Sequence, residues 1–180
     1  AKLQGTFDEQ VAAAKLLGVT HMRINSIEMK NFNGDITGVQ KWADAGFKII
    51  LNVTWSDINP APFAKGNDLA TFKTNFEKLV LLCGDMVYCY VIENEQTNTT
   101  FYDYANYTIY DYLNELQAGI DICEKYGKIC CDGGLHIKII EQIMIGNLKK
   151  DNVIRQNQCI NYFKTITYSG FRINVHHNFN

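Results

Sequence analysis

The segment MVYCYVIENEQTN (86–98) decides the fold of this 180-residue chain, because an almost unbroken apolar run stops at the polar pair Asn94-Glu95. Strands that are apolar on both faces are typical of parallel sheets, which helices cover on both sides. The pattern therefore predicts a buried parallel strand over 86–94, with Asn94 and Glu95 at its carboxyl end.

Similar units lie on both sides of this strand. Thr6 and Glu9 form a capping-box pattern before a helix over 7–17, and helical spacing also predicts helices over 36–45, 68–83 and 110–127. The predicted strands are 20–25, 47–54, 86–94, 128–133 and 171–177, with a helical stretch over about 137–166 before the last strand. This alternation predicts a single α/β domain over residues 1–180, either a closed barrel or an open doubly wound sheet.

The charge and hydropathy of the chain narrow the class of partner. The formal net charge is -2 and the sequence pI is about 6.1, without a cluster of Lys or Arg that would bind nucleic acid or an anionic membrane. No apolar run reaches the roughly 18 to 20 residues that cross a bilayer. We expect a neutral partner, no nucleic acid and no membrane, and localisation stays open between secreted and cytoplasmic.

The six cysteines stand singly within apolar stretches, which favours buried, reduced thiols over a disulfide framework. Cys130 and Cys131 are adjacent on a predicted strand and point to opposite faces, so they do not form a shared zinc site. The sequence therefore predicts no metal site and no cofactor.

Polar residues follow each predicted strand. In a barrel enzyme the active site lies at the carboxyl ends of the strands, so these residues are the candidates for chemistry. They are Arg23 and Asn25, Asn52 and Trp55, Asn94 and Glu95, Asp132 and His136, and His176, His177 and Asn178. All five strand ends carry groups that bind hydroxyls.

The motif IENEQTN (92–98) resembles the acid/base strand, strand four, of the large clan of retaining (β/α)₈ glycoside hydrolases. The flanking units agree in order: GVTHMRIN resembles the second strand with its terminal Arg, FKIILNVTW the third, KICCDGGLH the fifth and FRINVHHNFN the sixth. The chain departs from the clan at Gln96, where proline is common, and at Glu93, where an aromatic residue is common. The resemblance implies a (β/α)₈ TIM barrel, of which this chain covers roughly strands two to six.

The resemblance also implies a function, a glycosidase that cleaves O-glycosidic bonds of a β-linked poly- or oligosaccharide by a retaining two-carboxylate mechanism. Glu95 would be the catalytic acid/base, and the substrate-binding residues would be Asn94, Arg23, Trp55, His176, Asn178 and Asn52. Each has an ordinary alternative, since an Asn-Glu pair often just begins a solvated loop, Arg23 can pair with a carboxylate, and Trp55 can pack in the core.

The clan's nucleophile is a Glu at the end of the seventh strand, which has no counterpart in these 180 residues. We therefore expect the missing strands to come from the rest of a parent chain or from a second copy, because two bare sheet edges would aggregate. This piece alone should be inactive. Two other functions remain open: a non-catalytic carbohydrate-binding barrel, and a barrel aldolase or phosphate-binding isomerase in which Asp132-Gly133-Gly134 begins an anion site.

Overall fold

The computed structural model describes residues 5–96, 98 and 100–134. In this part of the chain four helices alternate with four strands. The helices are α1 (Phe7–Leu16), α2 (Thr37–Asp44), α3 (Asn67–Cys83) and α4 (Ile109–Lys125), and the strands are β1 (His21–Glu28), β2 (Lys48–Thr54), β3 (Val87–Ile92) and β4 (Ile129–Asp132). A short 3-10 helix, Gly84–Met86, leads into β3. The predicted helical stretch over 137–166 and the strand over 171–177 lie outside the described residues.

Side-chain caps fix where two of the helices begin. Thr6 accepts a hydrogen bond from the backbone N–H of Glu9, whose carboxylate accepts one from the backbone of Thr6, so the predicted capping box of α1 is confirmed. A second capping box, which was not predicted, lies at the start of α4, where Thr108 and Asp111 exchange the same bonds. Each such cap stabilises its helix by about 1 kcal/mol.

The four described strands form one parallel sheet in the order β1-β2-β3-β4. The parallel, sequential arrangement predicted for these strands is thus confirmed. A doubly wound sheet reverses its order around the first strand, and the described strands contain no such reversal. β1 and β4 form the two edges of the described sheet.

Strand β1 runs to Glu28, beyond the predicted end at residue 25. Its pairing with β2 steps from Ile24↔Leu51 to Ile27↔Val53, which leaves one extra residue in β1. An insertion of this kind is a β-bulge, which bends a strand and turns its side chains.

The helices cover one face of the sheet. Ile49, Leu51, Val53, Tyr90 and Ile92 are fully buried there, and the ring of Tyr90 meets that of Phe76 from α3 edge to face, with 5.3 Å between ring centres. Gly119 of α4 lies so close to the sheet that a Cβ at this position would be 2.9 Å from the Ile92 side chain. None of the described helices is long and apolar enough to cross a membrane.

The opposite face of the sheet carries Arg23, Ile50, Asn52, Cys89, Val91 and Cys131. Residues alternate between faces along a strand, and two contacts between neighbouring strands confirm that these side chains share a face: Arg23 bonds to Asn52, and the Sγ atoms of Cys89 and Cys131 are 3.2 Å apart. The described cysteines are free thiols. This face is more polar than the helix-facing core, and it leads to the candidate site.

Candidate active site at the carboxyl ends of the strands

Arg23 connects three successive segments of the sheet. Its Nη2 donates to Oδ1 of Asn52 on β2, at 2.9 Å, and to Oδ1 of Asn94, just after β3, at 2.8 Å. A guanidinium group only donates, so both amide oxygens must face it and both Nδ2 groups point elsewhere. In the described part of the chain these Nδ2 groups have no assigned acceptor, which leaves two amide NH₂ groups for a hydroxyl-bearing ligand.

Asn94 and Glu95 lie on a tight turn with unusual backbone geometry. Glu93 has φ 60° and Glu95 has φ 50°. Both angles lie in the left-handed region, which residues other than glycine, Asn and Asp seldom adopt. The backbone N–H of Glu95 donates to the carbonyl of Gly133, at 3.1 Å, and thereby ties the turn to the residue after β4. Such conformations cost about 1 to 3 kcal/mol each and cluster at functional sites.

Gly133 is required for this close approach. A Cβ at position 133 would lie 2.5 Å from the carbonyl oxygen of Glu93 and 2.8 Å from the backbone nitrogen of Asn94. Backbone atoms cannot move aside as a flexible side chain can. Glycine is therefore needed at position 133 for the close contact between the end of β4 and the Asn94-Glu95 turn.

Glu93 is buried directly behind the turn, with 1% of its surface exposed. Its Oε1 accepts from the backbone N–H of Trp55 at 2.7 Å, and its Oε2 accepts from the hydroxyl of Tyr102 at 2.9 Å. Burial raises the pKa of Glu93 to about 7, and the hydrogen bonds that its carboxylate accepts oppose this rise. Glu93 was not among the predicted site residues, although an acidic residue at the end of a buried apolar strand is a signal for such a role.

Glu115 of α4 is a second buried carboxyl group, and it is hydrogen-bonded to Glu93. Its Oε2 accepts from the backbone N–H of Ala64 at 2.7 Å, while its Oε1 receives no N–H or O–H donor in the described residues. A proton on Oε1 that is donated to Glu93 accounts both for the hydrogen bond between the two carboxyl groups and for the missing donor at Oε1. Burial, and then the neighbouring charge of Glu93, raise the pKa of Glu115 well above its ordinary value.

The Tyr-rich loop after β3 supports the turn from the other side. The backbone N–H of Asn94 donates to the hydroxyl of Tyr102 at 3.1 Å, and the same hydroxyl donates to Glu93. The Tyr102 ring stacks on Phe63 with 4.8 Å between ring centres and is 4% exposed. In the described structure Tyr102 is therefore a support for the turn, and its buried ring offers no stacking platform to a sugar.

The structure brings together three of the predicted site residues, Arg23, Asn52 and Asn94, with Glu95 as the next residue along the turn. Glu95 is partly exposed. Trp55 is 1% exposed and belongs to the core, which agrees with the ordinary alternative for this residue; its backbone N–H, and not its ring, reaches the site. His176 and Asn178 lie outside the described residues, as do His136 and His177.

The described residues contain no group of three or more His, Cys, Asp or Glu side chains arranged to hold a metal ion. The two carboxyl groups behind the turn, Glu93 and Glu115, are hydrogen-bonded to backbone and hydroxyl donors and to each other. The chemistry that this arrangement allows is therefore hydrogen bonding and proton transfer at the partly exposed Asn94-Glu95 turn.

Comparison with known proteins gives one informative likeness. No family profile matches the chain, and no curated protein matches it significantly. Among solved structures it is similar to a family 39 glycoside hydrolase from the gut symbiont Bacteroides cellulosilyticus WH2, with a TM-score of 0.53 and 14% sequence identity. The match covers 78% of this chain and 33% of that structure, so the chain spans about a third of the length of the hydrolase it matches. At this identity the likeness concerns the fold alone.

Proposed function

We propose that this chain is part of the catalytic domain of a retaining glycoside hydrolase that cleaves O-glycosidic bonds of a β-linked poly- or oligosaccharide. The observation that carries the proposal is the contact of Arg23 with both Asn52 and Asn94, directly beside Glu95, on consecutive parallel strands. The fold likeness to part of a glycoside hydrolase supports it independently. The resemblance of the Asn94-Glu95 strand to the acid/base strand of the clan supplies the residue roles.

In this proposal Glu95 protonates the glycosidic oxygen as the bond breaks and later removes a proton from the attacking water. Asn94 binds the 2-hydroxyl of the sugar through its Nδ2, because Arg23 occupies its Oδ1. A hydrogen bond to the 2-hydroxyl strengthens at the oxocarbenium-like transition state, so its orientation affects the rate. Asn52 offers a second Nδ2 donor nearby, and His176 and Asn178 complete the hydroxyl-binding residues.

A retaining mechanism also needs a nucleophilic carboxylate about 5 to 5.5 Å from the acid/base. Glu93 does not meet this need, since it is 1% exposed and both of its oxygens accept hydrogen bonds within the protein. We place the nucleophile beyond the described residues, on the part of the barrel that completes the sheet.

Three cationic donor groups of Arg23, Nη1, Nη2 and Nε, lie on the same face as the site, and only Nη2 is engaged with Asn52 and Asn94.

The test is hydrolysis of a panel of aryl β-glycosides by the full-length protein, with Glu95→Ala and Glu95→Gln as variants. Loss of the acid/base should lower kcat/KM on a substrate with a poor leaving group by roughly 10²- to 10⁴-fold. With an activated leaving group, azide should restore turnover of Glu95→Ala and yield a glycosyl azide of retained configuration. Glu124→Gln is the matched control, because Glu124 is an exposed glutamate on α4.

Two results would count against this proposal in different ways. Full activity in both Glu95 variants would remove Glu95 from the mechanism. Saturable binding of oligosaccharide by the wild-type protein, with no hydrolysis of any substrate in the panel, would instead support the non-catalytic carbohydrate-binding barrel.

A further inference from the structure

We infer that Glu93 is a positioning residue that holds the Asn94-Glu95 turn in its working geometry, and that it does so with a proton shared with Glu115. The inference rests on the glycosidase function proposed above. It concerns the position at which this chain departs from the glycoside hydrolase clan, where an aromatic residue is common. A carboxyl group at this position changes how the turn is held, because it accepts hydrogen bonds that a ring does not.

The contacts of Glu93 reach the turn in two steps. Its Oε2 lies 2.9 Å from the hydroxyl of Tyr102, whose single proton is donated either to Glu93 or to the carbonyl of Asn94, also at 2.9 Å, and that hydroxyl accepts from the backbone N–H of Asn94. Its Oε1 accepts from the backbone N–H of Trp55, which fixes the segment after β2 beside the turn. The carboxylate thus orients, through the Tyr102 hydroxyl, the peptide between Glu93 and Asn94 without itself facing the substrate.

Glu115 completes the arrangement from α4. Its Oε2 accepts from the backbone N–H of Ala64, its Oε1 is buried without a donor among the described residues, and its carboxyl group is hydrogen-bonded to that of Glu93. Two buried carboxylates side by side would repel each other strongly, whereas a carboxylic acid that donates to a carboxylate forms a short, charge-assisted bond. The state with Glu115 protonated and Glu93 ionised satisfies each donor and acceptor of the pair.

The titratable groups that face Glu93 come from three elements. Glu115 faces it from α4, Tyr102 from the loop after β3, and Asp57 from the loop after β2. Burial is the main cause of the raised pKa of Glu93, about 7, and the charge of Asp57 adds to it. Below this pH Glu93 becomes protonated and its carboxyl loses an acceptor site for Trp55 or Tyr102. The working geometry of the turn is therefore present above about pH 7 and weakened below it.

Two isosteric variants separate this role from simple packing. In Glu115→Gln the amide oxygen accepts from Ala64 and the amide N–H₂ donates to Glu93, so the geometry is preserved. In Glu93→Gln a single amide oxygen remains for the two donors Trp55 and Tyr102, and the N–H₂ is placed against one of them. The two substitutions are equal in size and chemistry, but only the second disturbs the turn.

The experiment measures kcat and KM against pH for the full-length wild type, Glu93→Gln, Glu115→Gln and the exposed control Glu124→Gln. Each is assayed well below its unfolding temperature and corrected for the folded fraction. Glu93→Gln should lower kcat roughly ten- to hundredfold with a smaller change in KM, as expected for a misplaced catalytic group. It should also lose the rise in activity near pH 7, which wild type, Glu115→Gln and Glu124→Gln keep.

A merely structural role of Glu93 would lower stability and leave the pH profile of the folded protein unchanged, and that result would overturn the inference. A loss in Glu115→Gln as large as that in Glu93→Gln would overturn the placement of the proton on Glu115. Selective ¹³C labelling of glutamate carboxyls gives a readout that does not need turnover: one resonance should titrate near pH 7 in the wild type and vanish in Glu93→Gln.

The same labelled protein separates failure of this inference from failure of the proposed function. If the wild type hydrolyses no glycoside, the proposed function fails, and the ¹⁵N resonances of the Asn94 and Glu95 backbone amides then decide the positioning role. These amides should shift with the same midpoint as the Glu93 carboxyl. Amide resonances that stay constant while Glu93 titrates would refute the positioning role.

Discussion

Replacement of Gly133 by alanine should be among the most damaging single-methyl changes in this protein. The added Cβ would lie 2.5 Å from the carbonyl oxygen and 2.6 Å from the carbonyl carbon of Glu93. Non-bonded carbon atoms need about 3.5 Å, so the turn and the end of β4 must separate by about 1 Å. Overpacking of this kind costs about 1 to 3 kcal/mol, and loss of the bond from Glu95 N–H to Gly133 adds about 1 kcal/mol.

We therefore expect Gly133→Ala to lower the free energy of unfolding of the full-length protein by about 2 to 4 kcal/mol, measured by urea denaturation. Gly38→Ala on α2 is the matched control, since a Cβ there meets nothing within 4 Å. Helix propensity predicts a gain of up to about 1 kcal/mol for that control. The reasoning is refuted if Gly133→Ala unfolds at the same urea concentration as the wild type, or if its Glu95 amide resonance is unchanged.

Three further predictions concern stability. Thr108→Ala removes the cap of α4 and should cost about 1 kcal/mol in chemical denaturation; no loss would mean that the capping box contributes nothing. Tyr102→Phe removes the donor to Glu93 and should cost about 1 to 3 kcal/mol, against no change in the exposed control Tyr110→Phe; equal effects in the two variants would contradict this. Because burial raises the pKa of Glu93 from 4.5 to about 7, the folded state holds its proton more tightly, so Glu93 alone should lower wild-type stability by about 3 kcal/mol as pH rises through that interval, and Glu115, whose pKa burial also raises, should add to this fall. The Glu93→Gln/Glu115→Gln double variant should lack this decline, and a slope as steep as that of the wild type would show that other groups cause it.

Within the described residues, the sequence alone predicted the four helices, the four strands and their parallel order. The apolar runs of β2 and β3 lie between segments with helical spacing that end at glycine. The hydrophobic periodicity and the positions of the glycines therefore indicate the same helices and strands. The ends of the strands were harder to predict, because a bulge extends β1 to Glu28 and no local sequence pattern indicates the bulge. Bulges depend on pairing with the neighbouring strand, which is a tertiary property.

For the site, the position of Arg23, Asn52 and Asn94 at the carboxyl ends of predicted parallel strands indicated that they lie together. The structure joins them by hydrogen bonds. These strand-end positions did not indicate Glu115, whose role depends on α4 lying against the end of β3. A glutamate within an amphipathic helix is most often exposed, and only the fold shows that this one is fully buried. The same limit applies to Trp55, since a strand-end tryptophan reads equally as a sugar platform or as core until its burial is known.

Asn94 is the residue through which two charged groups of unlike environment act on one turn. Its Oδ1 accepts from Arg23, an exposed cation, and its backbone N–H donates to Tyr102, which in turn donates to the buried Glu93. Arg23 makes no ion pair with the described residues, and among them its Nη2 is bonded to the neutral amide oxygens of Asn52 and Asn94. Glu93 is likewise held by neutral donors and by the Glu115 proton. Arg23 and Glu93 do not pair with each other. Arg23 orients the side-chain amide of Asn94, and Glu93 orients its backbone peptide through Tyr102. Each orientation can therefore be perturbed without the other. Substitution at Arg23 should therefore alter sugar binding first, whereas substitution at Glu93 should alter the turnover step first.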